Sequence, residues 1–392
     1  MLEKGDEVVL TVKDLMGTNR IPVQYKRLPE SATHGSLIFL NDGFIQLRVE
    51  KVSGEDVFCR TVIGGPLLSH KRLSIPGVKI VADAVSETDL DFFAFALQQG
   101  VDAFGVSFAE TAEDILKVKR FAQAKGQSAY MVAKIERAEA IENFEGILSA
   151  ADAIMIARGD LGVQIPLEDV PAVQKKLIRE ANLLGQPVIT ATQMLVSMTE
   201  NIRPTRAEVS DVANAILDGT DAVMLSEETA IGRYPVEAVE MISKIAISAE
   251  REEKTIRVLA NLPSCFQAAG GSGNAAVEDV VTLNAVESAG ALNVRYTLTH
   301  TQGRAVLCLI SRFRPDCWIL AHGGDEKKNN FLALSYGVHP VHLDGEPDGL
   351  AEEAVRWLVI AAMVEKDESV IWVEDESLDN RLEALSMKVI KT

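Results

Sequence analysis

Residues 153–162 read Ala-Ile-Met-Ile-Ala-Arg-Gly-Asp-Leu-Gly, an apolar run of strand length that stops at charged and small residues. Further apolar runs of similar length alternate with longer amphipathic stretches. The runs are centred near Phe104, Val132, Met155, Ile189 and Val223. This alternation predicts β-strand and α-helix units with parallel strands. The predicted class is therefore α/β, with about five of the eight units that a closed (β/α)8 barrel needs.

The regions on either side of these units have a different character. Residues 1–80 contain short β-rich runs broken by turn residues, with a tight-turn signal at 41–43, and predict a small β domain. The five units occupy 81–256. Residues 257–276 are typical of a linker. From 277–392 strand and helix patterns alternate again and predict a second α/β domain.

Composition excludes several classes of protein. The chain has 392 residues, of which 47% are hydrophobic and 24% charged, as in a globular protein of several domains. Its net charge of −18 repels phosphate backbones, so we expect no nucleic-acid partner. We expect no membrane partner, because no apolar run approaches the ~20 residues of a span. No signal peptide and no paired-cysteine motif is apparent, so we expect a cytoplasmic location.

Polar residues follow several apolar runs, at the strand ends where α/β proteins bind ligands. After the second run, Lys134 and Glu136 lie two residues apart, so an extended chain places them on one face. A cation and a carboxylate there suit the binding of a phosphoryl group together with a metal ion. The alternative is a surface ion pair at a strand end, and the spacing leaves both readings open.

After the third run, Arg158, Gly159 and Asp160 follow in sequence. Asp160 is well placed as a second carboxylate for Mg²⁺, which usually takes one or two carboxylates with substrate oxygens and water. Gly159 would let backbone N–H groups approach a bound anion. The alternative is a turn in which Asp160 caps a helix, and the motif taken alone favours that alternative.

Two further segments complete the set. The run at 188–194 ends in small hydroxyls, including Thr192, which offer hydrogen bonds to a ligand but also suit a strand through β-propensity. The charged loop at 203–208 is typical of a solvated ion-pair network. Taken together, a lysine, two carboxylates and a threonine at consecutive strand ends indicate Mg²⁺-assisted phosphoryl or enolate chemistry.

At these residues the sequence resembles the pyruvate kinase family. The resemblance is long and specific at residues 134–136, 156–162, 191–195, 203–208, 211–215 and 218–226. It extends more weakly over nearly all the chain. It implies a lid domain at 1–80, a catalytic barrel at 81–256 and a regulatory domain at 277–392. The implied reaction converts phosphoenolpyruvate and ADP to pyruvate and ATP, the last step of glycolysis.

The resemblance also implies a role for each charged strand-end residue. Lys134 would stabilise the phosphoryl group in flight and contact the substrate. Glu136 and Asp160 would hold Mg²⁺ or Mn²⁺, which bridges the carboxylate and the phosphate of the substrate.

The remaining implied roles concern the substrate and the lid. Backbone groups at Arg158 and Gly159 would line the phosphoenolpyruvate site. Thr192 would sit beside the enolate, near the proton that is delivered to carbon. In the lid, Asp42 would close over the nucleotide and the metal.

The sequence departs from the family in two ways. The family has three further βα units before the lid, which carry phosphate-binding residues, the K⁺ ligands and much of the nucleotide site. K⁺ is therefore expected from the family while its ligands are missing. A second polypeptide, or a region upstream of an incorrectly assigned Met1, would supply these units. In addition, Ala109-Glu110 stands where the family usually has a basic pair, and Glu227 stands where it has glycine.

Three hypotheses about function follow. The first is a pyruvate kinase that is active when the missing units are supplied. The second is a degenerate, non-catalytic homologue with a regulatory role. The third is a lyase that handles pyruvate or phosphoenolpyruvate on a related barrel, which the lid argues against. The resemblance further implies a homo-oligomer, a tetramer.

Overall fold

The computed structural model describes the three expected regions with gaps between and within them. It covers residues 1–13, 20–41, 43–69, 71, 73–75, 84–256, 277–300, 304–322, 326–341, 350–378 and 381–392. Asp42 and the expected linker at 257–276 lie outside the described residues. Within the described ranges, no helix combines the length and the apolar character needed to cross a membrane.

The amino-terminal region forms a six-stranded sheet in the order β2-β1-β5-β4-β3-β6. Its elements are β1 (Glu7–Thr11), β2 (Arg20–Pro22), α1 (Leu28–Ser31), β3 (Leu37–Leu40), β4 (Ile45–Ser53), β5 (Asp56–Ile63) and β6 (Leu73–Ser74). Strand β4 buries Ile45, Leu47 and Val49 and exposes the alternate residues Arg48 and Glu50. This period of two places one face on a core and the other in solvent. The β-rich character expected for this region is confirmed.

The middle region contains a five-stranded parallel sheet in the order β11-β10-β9-β8-β7. Its strands are β7 (Ala103–Val106), β8 (Tyr130–Ile135), β9 (Ala153–Ala157), β10 (Val188–Ala191) and β11 (Ala222–Met224). All five strands lie where the apolar runs predicted them. In the part of the chain that the structure describes, the sheet ends at β7 and β11, so the α/β class and the partial barrel are confirmed.

Helices pack along one face of this sheet. They are α2 (Glu87–Gln98), α3 (Ala112–Ala124), α4 (Ala138–Glu142), α5 (Phe144–Ala150), α6 (Arg158–Gln164), α7 (Val170–Leu183), α8 (Arg206–Leu217), α9 (Glu227–Ala230) and α10 (Pro235–Ile256), with 3₁₀ turns at Leu167–Asp169 and Val196–Thr199. Helix α7 buries Val170, Gln174, Leu177, Ile178 and Ala181, at the three-to-four-residue spacing of an amphipathic helix. The periodicity at 170–184 therefore predicted this helix to within one residue.

Strand β8 shows how the sheet positions functional groups. Met131, Ala133 and Ile135 belong to the core beneath the helices. Val132 belongs to a second cluster on the opposite face of the sheet. Because side chains alternate along a strand, Lys134 shares that second face with Val132, at the end of the strand.

The carboxyl-terminal region forms a third sheet, in the order β14-β13-β12-β15-β16. Its elements are α11 (Val277–Ala291), β12 (Tyr296–His300), α12 (Arg304–Ser311), β13 (Trp318–His322), α13 (Glu326–Leu332), β14 (Val338–Val341), α14 (Leu350–Ile360), β15 (Ser369–Leu378) and β16 (Arg381–Lys391). The pairs are parallel except β15 with β16. The second α/β region is as expected, although the sequence pattern did not predict β16.

The third region packs against the amino edge of the five-stranded sheet, the side where its strands begin. Phe331 stacks on Tyr130 with ring centroids 4.2 Å apart. Phe331 also joins Val132 and Ile189 in the apolar cluster on the second face of the sheet. The Arg314 guanidinium donates to the carbonyl of Thr220 at 2.7 Å. Apolar stacking and carbonyl contacts thus cover this edge.

Candidate active site

The polar residues singled out in the sequence lie at the carboxyl edge, the side of the five-stranded sheet where its strands end. Strand β8 leads to Lys134 and Glu136, β9 to Arg158 and its neighbours, and β10 to Thr192. Strand β9 pairs with β8 on one side and with β10 on the other. The three groups therefore occupy consecutive positions along this edge, as parallel strands require.

Lys134 and Glu136 form a buried ion pair. The distance from Lys134 Nζ to Glu136 Oε1 is 2.7 Å, and the exposed fractions of the two side chains are 24% and 0%. This burial excludes the surface ion pair that the spacing had left open. Burying an unpaired carboxylate costs free energy. The Lys134 ammonium therefore offsets part of the cost of burying Glu136.

The turn after β7 holds this pair in place, through two residues that sequence reasoning did not assign to the site. Lys134 Nζ donates to Ser107 Oγ at 2.8 Å. The backbone N–H of Phe108 donates to Glu136 Oε2 at 2.8 Å. The two carboxylate oxygens of Glu136 thus have different partners, Lys134 at Oε1 and the Phe108 N–H at Oε2. Ser107 and Phe108 directly follow the apolar run of β7, and this position in the sequence could have identified them as site residues.

The Arg158 side chain organises the end of β10. It is 7% exposed, and its Nη2 donates to the carbonyls of Thr192 and Gln193 at 3.0 and 3.2 Å. Its Nη1 donates to Asp211 Oδ1 at 2.8 Å. Thr192 and Gln193 have φ of +66° and +54°, a left-handed conformation that costs about 1–3 kcal/mol for such residues. The guanidinium therefore stabilises a strained backbone at the site.

Gly159 and Thr192 are in direct contact across the ends of β9 and β10. The Gly159 N–H donates to Thr192 Oγ1 at 2.7 Å, and that hydroxyl donates to the Ala191 carbonyl at 2.6 Å. A Cβ at position 159 would lie 3.3 Å from Thr192 Oγ1. A side chain here would force the Thr192 hydroxyl to move by a few tenths of an ångström, and the two hydrogen bonds fix the direction of that hydroxyl.

Asp160 lies in the first turn of α6, half-buried. The residue at the N-cap is Ala157, and no side chain caps this helix end. The turn with Asp160 as N-cap, which the motif taken alone favoured, is therefore not what forms. Asp160 projects from a helix that begins at the carboxyl edge.

The charged loop at 203–208 is largely structural. Thr205 and Glu208 form a capping box at the start of α8, and Glu208 also accepts from Ser197. Burial raises the pKa of Glu208, but the hydrogen bonds from Ser197 and Thr205 outweigh it and hold the pKa below its ordinary value. These contacts are hydrogen bonds to neutral groups, so they form a helix cap and not the solvated ion-pair network that the pattern favoured.

Glu136 and Asp160 could hold a divalent metal ion only together with further ligands, such as substrate oxygens and water. Among the residues that are described, no group of three or more His, Cys, Asp and Glu side chains converges. Glu136 nevertheless presents a fully buried carboxylate whose Oε1 is engaged only by the ion pair with Lys134 among the described residues. Two carboxylates with substrate oxygens and water are a usual set for Mg²⁺. The lid residue Asp42 lies outside the described residues and adds nothing to this geometry.

Comparison with known proteins gives two family matches. Residues 1–239 match the family described as pyruvate kinase, barrel domain. Residues 279–390 match the pyruvate kinase alpha/beta domain. The two matches together cover the three sheets described above.

Individual relatives agree with these matches. The chain is 45% identical over 395 residues to a pyruvate kinase of Thermococcus litoralis, covering 100% of this chain and 81% of that protein. It is 43% identical to pyruvate kinase 2 of Synechocystis sp., covering 87% and 56%. It is 37% identical to a pyruvate kinase of Clostridium acetobutylicum, covering 94% and 78%. Nothing in these matches favours the non-catalytic alternative.

Proposed function

The chain belongs to the pyruvate kinase family, and we propose that it transfers the phosphoryl group of phosphoenolpyruvate to ADP, giving pyruvate and ATP. The family makes it a transferase, and the reaction is the last step of glycolysis. The observation that carries the proposal is the buried Lys134–Glu136 pair at the carboxyl edge. Phosphoryl transfer depends on positioning and charge stabilisation, which such a pair supplies.

In this proposal Lys134 stabilises the phosphoryl group during transfer. Its side chain is partly exposed, while its Nζ is held by Ser107 and Glu136. A fixed cation that does not reorganise during the reaction stabilises developing negative charge more effectively than water does. Lys134 thus combines access to a ligand with a fixed position.

Glu136 and Asp160 are the residues that would hold Mg²⁺ or Mn²⁺. The metal would neutralise charge on the substrate carboxylate and phosphate when bound. The Glu136 carboxylate is fully buried, and its Oε1 is held by the ion pair with Lys134, which supports its role as a ligand beside a cation that binds phosphate. Asp160, in the first turn of the neighbouring helix, would supply the second carboxylate and border the substrate.

Arg158, Gly159 and Thr192 would form the substrate wall. The Gly159 N–H is engaged by Thr192 Oγ1, so the glycine acts by orienting this hydroxyl and by leaving space for the substrate. The Thr192 proton points to the Ala191 carbonyl. A hydroxyl held in this way would supply a proton beside the enolate once it turns away from that carbonyl.

The remaining parts of the proposal rest on family membership. We propose the division into a lid (1–80), a barrel (81–256) and a regulatory domain (277–392), with Asp42 of the lid closing over ADP and metal. Edge strands β7 and β11 suit completion of the barrel by three further βα units, which would bring the K⁺ ligands. A homotetramer and a cytoplasmic location are also proposed.

The test is turnover of phosphoenolpyruvate and ADP with Mg²⁺ and K⁺, with pyruvate as the measured product. We expect pyruvate from the purified chain, or from the chain supplied with the missing βα units, and its loss in Lys134→Ala. Lys119→Ala is the matched control, because Lys119 pairs with Asp152 at the opposite end of the strands. The proposal would be refuted if the folded wild type gave no pyruvate, either alone or with the added βα units. It would also be refuted if Lys134→Ala turned over as fast as the wild type.

A further inference from the structure

A second buried ion pair lies beside the Lys134–Glu136 pair. Glu110 follows β7 and Arg137 follows β8, and the two side chains form a close ion pair. They are 16% and 15% exposed, respectively. Glu110 is also the residue at which the sequence is acidic where the family is usually basic. If one member of such a pair is removed, the charge of the other is left buried without a counter-charge.

This second pair is connected to Glu136 through Phe108. The Arg137 guanidinium carbon lies 5.1 Å from the centre of the Phe108 ring, within cation–π range. The N–H of the same phenylalanine donates to Glu136 Oε2. The adjacent residues Glu136 and Arg137 thus contact the backbone and the ring of a single residue on the neighbouring turn.

Phe108 has a strained backbone that needs this support. Its φ is +56°, in the left-handed region that a bulky residue rarely adopts. The turn that carries it is anchored further along the chain. Asn143 Nδ2 donates to the Glu110 carbonyl at 3.0 Å, and the Glu110 N–H donates to Asp114 Oδ2 at 3.0 Å. A shift of Arg137 would therefore be transmitted to the donor that orients Glu136.

Charge gives the two members of the pair unequal effects. Arg137 is adjacent to Glu136 in the chain, and Glu110 neutralises its charge. Without Glu110, a buried cation would be free to turn towards the Glu136 carboxylate and to oppose a divalent ion electrostatically. Without Arg137, the remaining anion would attract a divalent ion, although the Phe108 ring would lose its contact.

We propose that Glu110 and Arg137 are positioning residues that set the affinity of Glu136 for a divalent cation. This inference rests on the proposed function in one respect, the assignment of Glu136 as a metal ligand. Neither residue is assigned to contact substrate. Their effect is transmitted through the Phe108 N–H and through the net charge beside the carboxylate.

The test is Mn²⁺ binding to the full chain, measured by electron paramagnetic resonance without substrates. We expect Glu110→Gln to weaken binding by roughly 10–100-fold, the range found for groups that orient metal ligands. Arg137→Gln should have the smaller effect, because the anion that remains favours the metal. Glu136→Gln supplies the baseline for non-specific binding to this acidic protein.

Two further variants separate positioning from stability. Asp152→Asn breaks a comparably buried pair with Lys119 at the amino edge, and should lower the unfolding midpoint without changing Mn²⁺ affinity. The double variant Glu110→Gln/Arg137→Gln removes both charges and covers the case in which Glu110→Gln does not fold. It should bind Mn²⁺ more weakly than the wild type and more tightly than folded Glu110→Gln.

The outcomes distinguish this inference from the proposed function. Wild-type affinity in Glu110→Gln, or in the double variant, would overturn the inference and leave the metal role of Glu136 intact. Equal losses in Glu110→Gln and Arg137→Gln would overturn the charge argument. No difference between the wild type and Glu136→Gln would overturn both the metal assignment and the inference.

Discussion

The two edges of the five-stranded sheet are built from the same strands and yet have opposite character. At the amino edge, Phe331 stacks on Tyr130 and fills an apolar cluster. At the carboxyl edge, Lys134 and Glu136 form a buried pair, and Thr192 has a strained backbone. Both edges hold ion pairs, but the amino edge is covered by the third region, whereas the carboxyl edge combines a strained backbone with the charged side chains of the candidate site. Stability and activity should therefore respond to different substitutions along a single strand.

The largest expected effect is on turnover at the carboxyl edge. Thr192→Val keeps the branched shape but removes the hydroxyl that accepts from the Gly159 N–H. We expect kcat to fall by about 10²–10⁴, the usual contribution of a positioned proton donor. Steady-state kinetics with phosphoenolpyruvate and ADP measures it, and Thr192→Ser should recover most of the activity. A loss of stability that matches the loss of kcat would contradict the division between the edges.

The next effect is on stability at the amino edge. Phe331 is 2% exposed, and Phe331→Ala should lower the free energy of unfolding by about 3–5 kcal/mol, since it leaves a cavity against Tyr130. Urea unfolding measures it. Phe92→Ala, at an exposed position, should change it by less than about 0.5 kcal/mol. If Phe331→Ala stays folded yet loses turnover as Thr192→Val does, the two edges are coupled.

A smaller effect concerns pH at the amino edge. Burial raises the pKa of Asp221, against the opposing charge of Arg314 and the N–H groups of Val188 and Tyr336. A carboxyl with a raised folded pKa stabilises most below its unfolded pKa, and this contribution is lost as pH rises through the folded value. The stability advantage of the wild type over Asp221→Asn should thus shrink with rising pH, by at most about 1.4 kcal/mol per unit.

Urea unfolding of both proteins across the acid to neutral range measures this dependence. A difference between the wild type and Asp221→Asn that stays constant with pH would show that the carboxyl does not titrate differently in the folded state.

The smallest effect is at a helix end on the carboxyl edge. Thr205→Ala removes the cap of α8 and should cost about 1 kcal/mol near neutral pH. Because the pKa of Glu208 is lowered, its contribution is present above its unfolded pKa and is lost as pH falls through the folded value. The cost of Thr205→Ala should therefore decrease in acid. Thermal unfolding at several pH values measures it, with Thr205→Ser as the control that keeps the cap.

The sequence by itself determined the strands and which polar residues follow them. Apolar runs near Val132 and Met155 predicted β8 and β9, because a parallel sheet buried on both faces needs continuous apolar strands. The motifs at 134–136 and 156–162 indicated the family, because they hold residues to which we assign phosphoryl transfer. Lys134, Glu136 and Thr192 could be named from this information alone.

Tertiary structure decided what those residues contact. Nothing local indicates that Phe108 would donate to Glu136, or that Arg158 would hold the carbonyls after Thr192, because these partners are tens of residues apart in sequence. The docking of Phe331 on Tyr130 joins two regions about 200 residues apart. Periodicity reports which face of an element is apolar, whereas burial, pairing and backbone strain arise only when strands distant in sequence lie side by side.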